Sequence, residues 1–321
     1  MNEAIWNSVD LTRAIFLIGA VFALAYKKRY GVTPGGVIVP GTLAIVLFAS
    51  FVAFIITIVT SIVSYFIYKF TFGRYPLDKR WSALINVTIS TLLGLVLMYS
   101  LEITRTLSTE LLLISLVIPG LIAINARKYS PAKVAVGTFS VVAASYLAGA
   151  LLYQLLPYSM ISRLSTGLGE YQMLSLLNPF IALPLSLLLA ITLYYRFGIR
   201  SGGYLIAPYL AVVTFSSPIQ ALLLAAGVAL SYLATKIALR YTLLIGLERF
   251  VFSLFCGYIV VTLIDIIAVH INIPGYRPAP LILITAVAVL TNDLSLQPLK
   301  STLKNGFGPA QFIAHLLRWA T

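Results

Sequence analysis

The sequence predicts an all-α, polytopic integral membrane protein made of two tandem parallel repeats, each of about five membrane segments with re-entrant or broken half-helices. Three observations carry that expectation. Hydrophobic residues make up 60% of the 321 and charged residues only 10%, with a mean hydropathy of +0.99, which is outside the range of soluble globular domains. A glycine-rich stretch occurs twice, as Tyr30-Gly-Val-Thr-Pro-Gly-Gly-Val-Ile-Val-Pro-Gly-Thr-Leu-Ala-Ile-Val46 and as Phe197-Gly-Ile-Arg-Ser-Gly-Gly-Tyr-Leu-Ile-Ala-Pro-Tyr-Leu-Ala-Val-Val213. The basic residues behind the formal charge of +13 sit at the ends of apolar runs rather than along a solvated face, so they orient helices in a bilayer and do not mark a nucleic-acid surface.

The repeat extends beyond the glycines. At one offset of 167 residues Gly35 and Gly36 meet Gly202 and Gly203, Ser64-Tyr65 meets Ser231-Tyr232, and Lys69 meets Lys236. Asn125, Pro131 and Lys133 likewise meet Asn292, Pro298 and Lys300. Around Lys79-Arg80-Trp81 the register slips by two, to Glu248-Arg249-Phe250. Matched Gly, Asn, Pro and Lys are what an internal duplication leaves, whereas Leu over Leu would prove little. The expected units are residues 1–160 and 161–321.

In chain order, Leu11 to Tyr26 is a first helix, followed by Lys27-Lys28-Arg29 rather than a cleavage site, and is expected to be retained. Gly35 to Phe70 is too long for one crossing of about 20 residues, so it must fold back. The second copy shows where, because Ala49-Ser50-Phe51 aligns with the turn signal Ser216-Ser217-Pro218. Each unit then has a short arm (35–48; 202–215) broken by proline or Pro-Gly, expected to be re-entrant, and a longer arm (52–68; 219–239). Spans at 82–100, 107–126 and 133–156 complete the first unit. Spans at 174–195, 250–269 and 280–291 belong to the second, and 307–320 is short enough to lie at the interface.

If both arms are hairpins, one set of helix ends holds seventeen basic residues, among them Lys27, Arg29, Lys79, Arg80, Arg127, Lys133, Arg196, Lys236, Arg249 and Lys300. The other set holds four: Arg13, Arg105, Arg163 and Arg277. The first set is expected to face the cytoplasm of a multi-pass cell-membrane protein, with the N-terminus external. Both units then enter from the same side, as parallel repeats do.

Gly31-Val-Thr-Pro-Gly-Gly-Val-Ile-Val-Pro-Gly-Thr-Leu-Ala, followed by Val117-Ile-Pro-Gly-Leu-Ile-Ala-Ile-Asn125 and Pro131, resembles the PgsC/CapC membrane protein family of poly-γ-glutamate synthesis and capsule formation. The second unit resembles it in decayed form: Ser201 replaces the first proline, Pro208 is shifted, and Thr285 to Asn292 lacks the Pro-Gly. The resemblance implies a fused pair of family members acting as the membrane-embedded subunit of a bacterial synthase or export complex. It also implies partners: a PgsB/CapB-like amide ligase that uses ATP and Mg, a PgsA/CapA-like membrane-anchored subunit, the anionic polymer and membrane lipids, with no nucleic acid. No cofactor is expected in this chain.

The residues themselves show no catalytic site, having no phosphate-binding G-x-x-x-x-G-K-[ST] loop, no metal-spaced His/Cys set and no nucleophile elbow. Polyanion-binding candidates are Gly35, Gly36, Arg80, Asn125, Lys133 and their repeats Gly202, Gly203, Arg249, Asn292 and Lys300. A half-helix opened by a Gly-Gly pair turns backbone N–H groups and its positive end toward a carboxylate; the same glycines also suit close helix packing. Arg80 and Arg249 suit bidentate carboxylate binding or simple anchoring at the interface. The asparagines and lysines suit capping or carboxylate binding. Asp265 reads either as an intramembrane functional carboxylate or as an exposed helix end, His270 and His315 as interfacial polar residues, and Cys256 as inert packing. Against the polymer subunit stand two other classes: a secondary transporter for an amino acid or other carboxylate, and a scaffold that only localises the ligase.

Overall fold

The computed structural model describes residues 7–72, 79–100, 109–155, 218–271 and 281–296. Contacts divide the chain into Met1–Leu168 and Gly169–Thr321. The first unit contains α1 (Asn7–Tyr30), α2 (Ile38–Ala49), α3 (Phe51–Thr71), α4 (Lys79–Ser100), α5 (Thr109–Tyr129) and α6 (Pro131–Leu155). The second contains α7 (Pro218–Tyr241), α8 (Leu247–His270) and α9 (Leu281–Leu296). No strand occurs among the described residues. The segments expected at 174–195, 202–215 and 307–320 lie outside them.

Among the described residues four helices, at Phe51–Thr71, Pro131–Leu155, Ala221–Tyr241 and Leu247–Ala268, are long and apolar enough to cross a membrane. Their packing is inverted relative to a soluble helix. Along α3 the outward residues are Phe51, Ile55, Val59, Ile62, Phe66 and Phe70, while Thr57, Thr60, Ser61 and Ser64 are buried. Apolar side chains face lipid, and the small hydroxyl residues let neighbouring helices approach. Two of those hydroxyls are closed on their own helix, Thr57 donating to the Ala53 carbonyl (2.8 Å) and Ser61 to the Thr57 carbonyl (2.6 Å).

The fold-back is made by single residues. α1 ends where the Gly31 N–H, at a φ of 71°, bonds the Lys27 carbonyl at 2.8 Å, the left-handed cap that glycine adopts without a Cβ penalty. Gly35 (φ 68°) and Gly36 (φ 133°) carry the chain into α2. Pro40 was expected to break this arm. It is instead the third residue of α2, within the first turn, where an N–H has no intrahelical partner to lose.

α2 stops at Ser50, whose extended backbone (φ −159°, ψ 113°) still closes on the Val46 carbonyl at 2.8 Å. The Ser50 hydroxyl then accepts from the Ala53 N–H at 3.3 Å and caps α3. Twelve residues of α2 span about 18 Å, against about 30 Å of hydrocarbon, and α3 runs back. Phe48, near the turn, stacks on Tyr146 of α6 at 4.2 Å. At the hairpin's other end Tyr68 of α3 lies under the Arg127 guanidinium of α5 at 4.1 Å.

The first Pro-Gly pair serves packing through its glycine. A Cβ on Gly41 would lie 2.7 Å from the Phe16 carbonyl oxygen of α1, and one on Gly19 would fall on the Gly41 backbone. Pro119-Gly120 sits inside α5, where a Cβ on Gly120 would come within 2.7 Å of the Val87 Cα and 2.6 Å of the Ser90 hydroxyl of α4. In the second unit the repeat of Gly120 is Val287, and its Cγ1 packs 3.3 Å from the Cβ position of Gly257. The contact of α8 with α9 at Gly257 is looser than that of α4 with α5 at Gly120.

Two charges differ from expectation. Arg13, counted with the external helix ends, is 2% exposed within α1, and Asp265 is 7% exposed within α8, which removes the exposed-end reading.

The close contact at Gly120 is testable. Gly120→Val should destabilise the protein in detergent by about 1–3 kcal/mol through overpacking. Adding Ser90→Gly, which removes the hydroxyl nearest that Cβ position, should recover part of the loss in thermal unfolding; equal melting of single and double variants would refute the contact.

Candidate functional site

The start of α2 is enclosed by the ends of other helices. Val32 to Gly35 are buried and Gly36 is half-buried. Val37, the residue before α2, offers no side-chain cap, so the first amides of a largely buried helix end carry no side-chain acceptor. In such a place donors need a partner, and the helix dipole favours a negative one.

The turn itself is held from α5. Asn125 Nδ2 donates to the Gly35 carbonyl at 2.9 Å and to the Leu121 carbonyl of its own helix at 2.9 Å. Since Asn125 is half-buried in the last turns of α5, its amide ties the short arm to that helix end. The Gly35 N–H turns the other way, onto the Thr33 carbonyl at 2.9 Å. Thr33 in turn has its hydroxyl 3.3 Å from the Tyr129 hydroxyl. Tyr129 lies beyond the apolar part of α5, after Arg127 and Lys128. Its phenol is held below the ordinary tyrosine range by the Thr33 hydrogen bond first, then by Lys128 and Lys27, against an opposing effect of burial.

Thr138 of α6 completes the enclosure. It is 2% exposed, and its hydroxyl, which has no hydrogen-bond partner, lies 3.3 Å from the Cβ position of Gly35. The Val39 and Ile122 side chains fill that direction at 3.0 and 3.1 Å, so Gly35 admits no side chain. Gly36 meets only Val39, at 3.4 Å.

In the second unit the repeated asparagine has a different partner. Asn292 Oδ1 accepts from Arg249 Nε at 3.2 Å, which orients a half-buried guanidinium and leaves its terminal nitrogens as donors. Of the ten sequence candidates, the structure therefore joins Gly35 to Asn125 and Arg249 to Asn292, with Gly36 beside the first pair. Lys133 stands exposed in the first turn of α6. Gly202, Gly203 and Lys300 lie outside the described residues, as does the side chain of Arg80.

Thr33, Tyr129 and Thr138 were not singled out from the sequence. A signal for Thr138 exists, because it belongs to the small-residue face Val134, Gly137, Thr138, Val141, Ser145 and Gly149 that α6 buries. Among the described residues no group of His, Cys, Asp or Glu is placed to hold a metal ion.

Residues 18–135 and 185–303 each match the profile of the family described as capsule biosynthesis CapC. The chain belongs to the capsule biosynthesis CapC family. As a CapC-family protein with two matched regions, it is a tandem duplication, and all ten sequence candidates fall inside those regions. Thr138 lies just outside the first. No curated protein and no solved structure matches the chain.

The two asparagines should differ in cost. Asn125→Leu leaves a carbonyl without its donor at a buried turn and should lower stability by about 1–3 kcal/mol. Asn292→Leu should cost less, because half-buried Arg249 can turn to water. Paired thermal unfolding in detergent checks the order, and an equal or reversed ranking would contradict it.

Proposed function

We propose that this CapC-family chain is the membrane-embedded subunit of a bacterial poly-γ-glutamate capsule synthase or exporter. Its basic helix ends receive the anionic chain from an ATP-dependent amide ligase of the PgsB/CapB kind, and a PgsA/CapA-like subunit acts beyond it. Capsule biosynthesis itself follows from the family match; the polymer, the partners and the cytoplasmic placing of the basic ends are the proposal.

One observation carries the reading. In the first unit the ends of α1, α3 and α5 and the start of α6 bring Lys27, Lys28, Arg29, Lys69, Arg127, Lys128 and Lys133 to the end of the unit where α2 begins. A polyanion leaving a cytoplasmic enzyme meets an attractive field at such a surface, which raises its local concentration. A carboxylate cannot enter hydrocarbon uncompensated, so donors are needed at the mouth. The single-residue break between α2 and α3 also suits a carboxylate transporter, whose substrates bind at broken helices.

Two experiments test the proposal. In cells making the polymer, Arg80→Ala and Arg249→Ala should each lower yield about tenfold, the scale of one lost charged hydrogen bond, at matched membrane levels. Arg163→Ala should leave yield near wild type, and equal yields from all three would count against the basic mouth. In a Cys256→Ala background, Pro76→Cys and Leu243→Cys should resist impermeant thiol reagents added to intact cells. Strong labelling would reverse the orientation. Coupled glutamate uptake by proteoliposomes containing this chain alone would favour the transporter.

A further inference from the structure

We propose that α3 and α7 each carry, near their C-terminal ends, one copy of a duplicated site for an anionic phospholipid. Lys69 in the first unit and Lys236 in the second hold the lipid phosphate, each beside a tyrosine. The proposal goes beyond the polymer reading and does not depend on it.

The two sites are the same contact made twice. Lys69 Nζ lies 6.0 Å from the Tyr65 ring centroid, and Lys236 Nζ lies 5.7 Å from that of Tyr232. At the 167-residue offset tyrosine meets tyrosine and lysine meets lysine. In both units the tyrosine is half-buried and the lysine exposed. An ammonium resting against a ring is steadied by it and keeps N–H donors for an oxygen anion. Neither α3 nor α7 contains Asp or Glu, so neither helix supplies an acid to neutralise its lysine.

The surroundings select a lipid. Lys69 continues the exposed row Val59, Ile62 and Phe66, and Lys236 continues the exposed row Ala226, Ala229 and Leu233 at the same register. Spacings of three and four residues keep each lysine on the face of its row. Both helices are long and apolar enough to cross a membrane. Each row therefore lies along hydrocarbon and ends in a cation at headgroup level, where tyrosines gather and lysines extend toward water. A phospholipid has acyl chains for the row and a phosphate for the cation. A chain of carboxylates has nothing to lay along the row. A second cation favours a headgroup of net negative charge over a zwitterionic one. In the first unit Arg127 lies over the ring of Tyr68, the residue before Lys69, at 4.1 Å; in the second, Arg240 is exposed one turn beyond Lys236.

The test titrates the full-length protein in detergent with phosphatidylglycerol or phosphatidylcholine and counts bound lipids by native mass spectrometry. Phosphatidylglycerol should bind more tightly. Lys69→Gln and Lys236→Gln should each weaken it about fivefold at one site, the scale of one basic residue beside an anionic headgroup, and the double variant should lose the preference. Lys69→Arg with Lys236→Arg should restore it. Tyr65→Leu with Tyr232→Leu leaves the net charge unchanged and should also weaken binding. The sites are overturned if the wild type shows no preference, or if the double Gln or double Leu variant binds phosphatidylglycerol like wild type. Equal displacement of the lipid by inorganic phosphate would also overturn them, by showing an ion site. So would a double Gln variant that keeps phosphatidylglycerol but no longer binds glutamate oligomers, since the lysines would then belong to the polymer.

Discussion

A buried peptide carbonyl has no water to turn to, and at the buried Gly35 turn one side chain meets that need. The Asn125 amide bridges the Gly35 carbonyl and the Leu121 carbonyl, joining the entry of the short arm to the end of α5. Irregular backbone at membrane depth is tolerated where protein buries it and satisfies its polar groups. With the turn held there, α2 starts among the ends of α1, α3 and α5, and its free amides face a basic surface. The single extended residue Ser50, which ends α2 and caps α3, returns the chain to the same end.

The duplicated asparagine shows how two copies of one sequence unit separate in chemistry. In the first unit it serves the backbone, donating to the Gly35 and Leu121 carbonyls. In the second it orients Arg249, a fixed cation with directional donors.

Packing diverged in the same way. Close approach of α4 and α5 requires one small residue at their crossing, and it does not matter which helix supplies it. Gly120 supplies it in the first unit, where a Cβ would lie 2.7 Å from the Val87 Cα. In the second unit Val287 stands at that position and packs 3.3 Å from the Cβ position of Gly257, a looser contact.

Much of the architecture was legible in the sequence. Membrane insertion follows from composition, and the duplication from matched Gly, Asn, Pro and Lys. The break near Ser50 follows from the excess length of Gly35 to Phe70 and the proline at its repeat, Pro218, because bilayer thickness and proline geometry act on the chain locally. What the residues alone left open was decided by contacts between segments distant in the chain. Whether Pro40 would break a helix or begin one depended on where the turn before it ended. Whether Asn125 would cap its own helix depended on a carbonyl 90 positions away. That Thr138 would face the Gly35 turn without a partner depended on how α6 packs on α2, and nothing in a threonine's near neighbours encodes what lies across a helix interface.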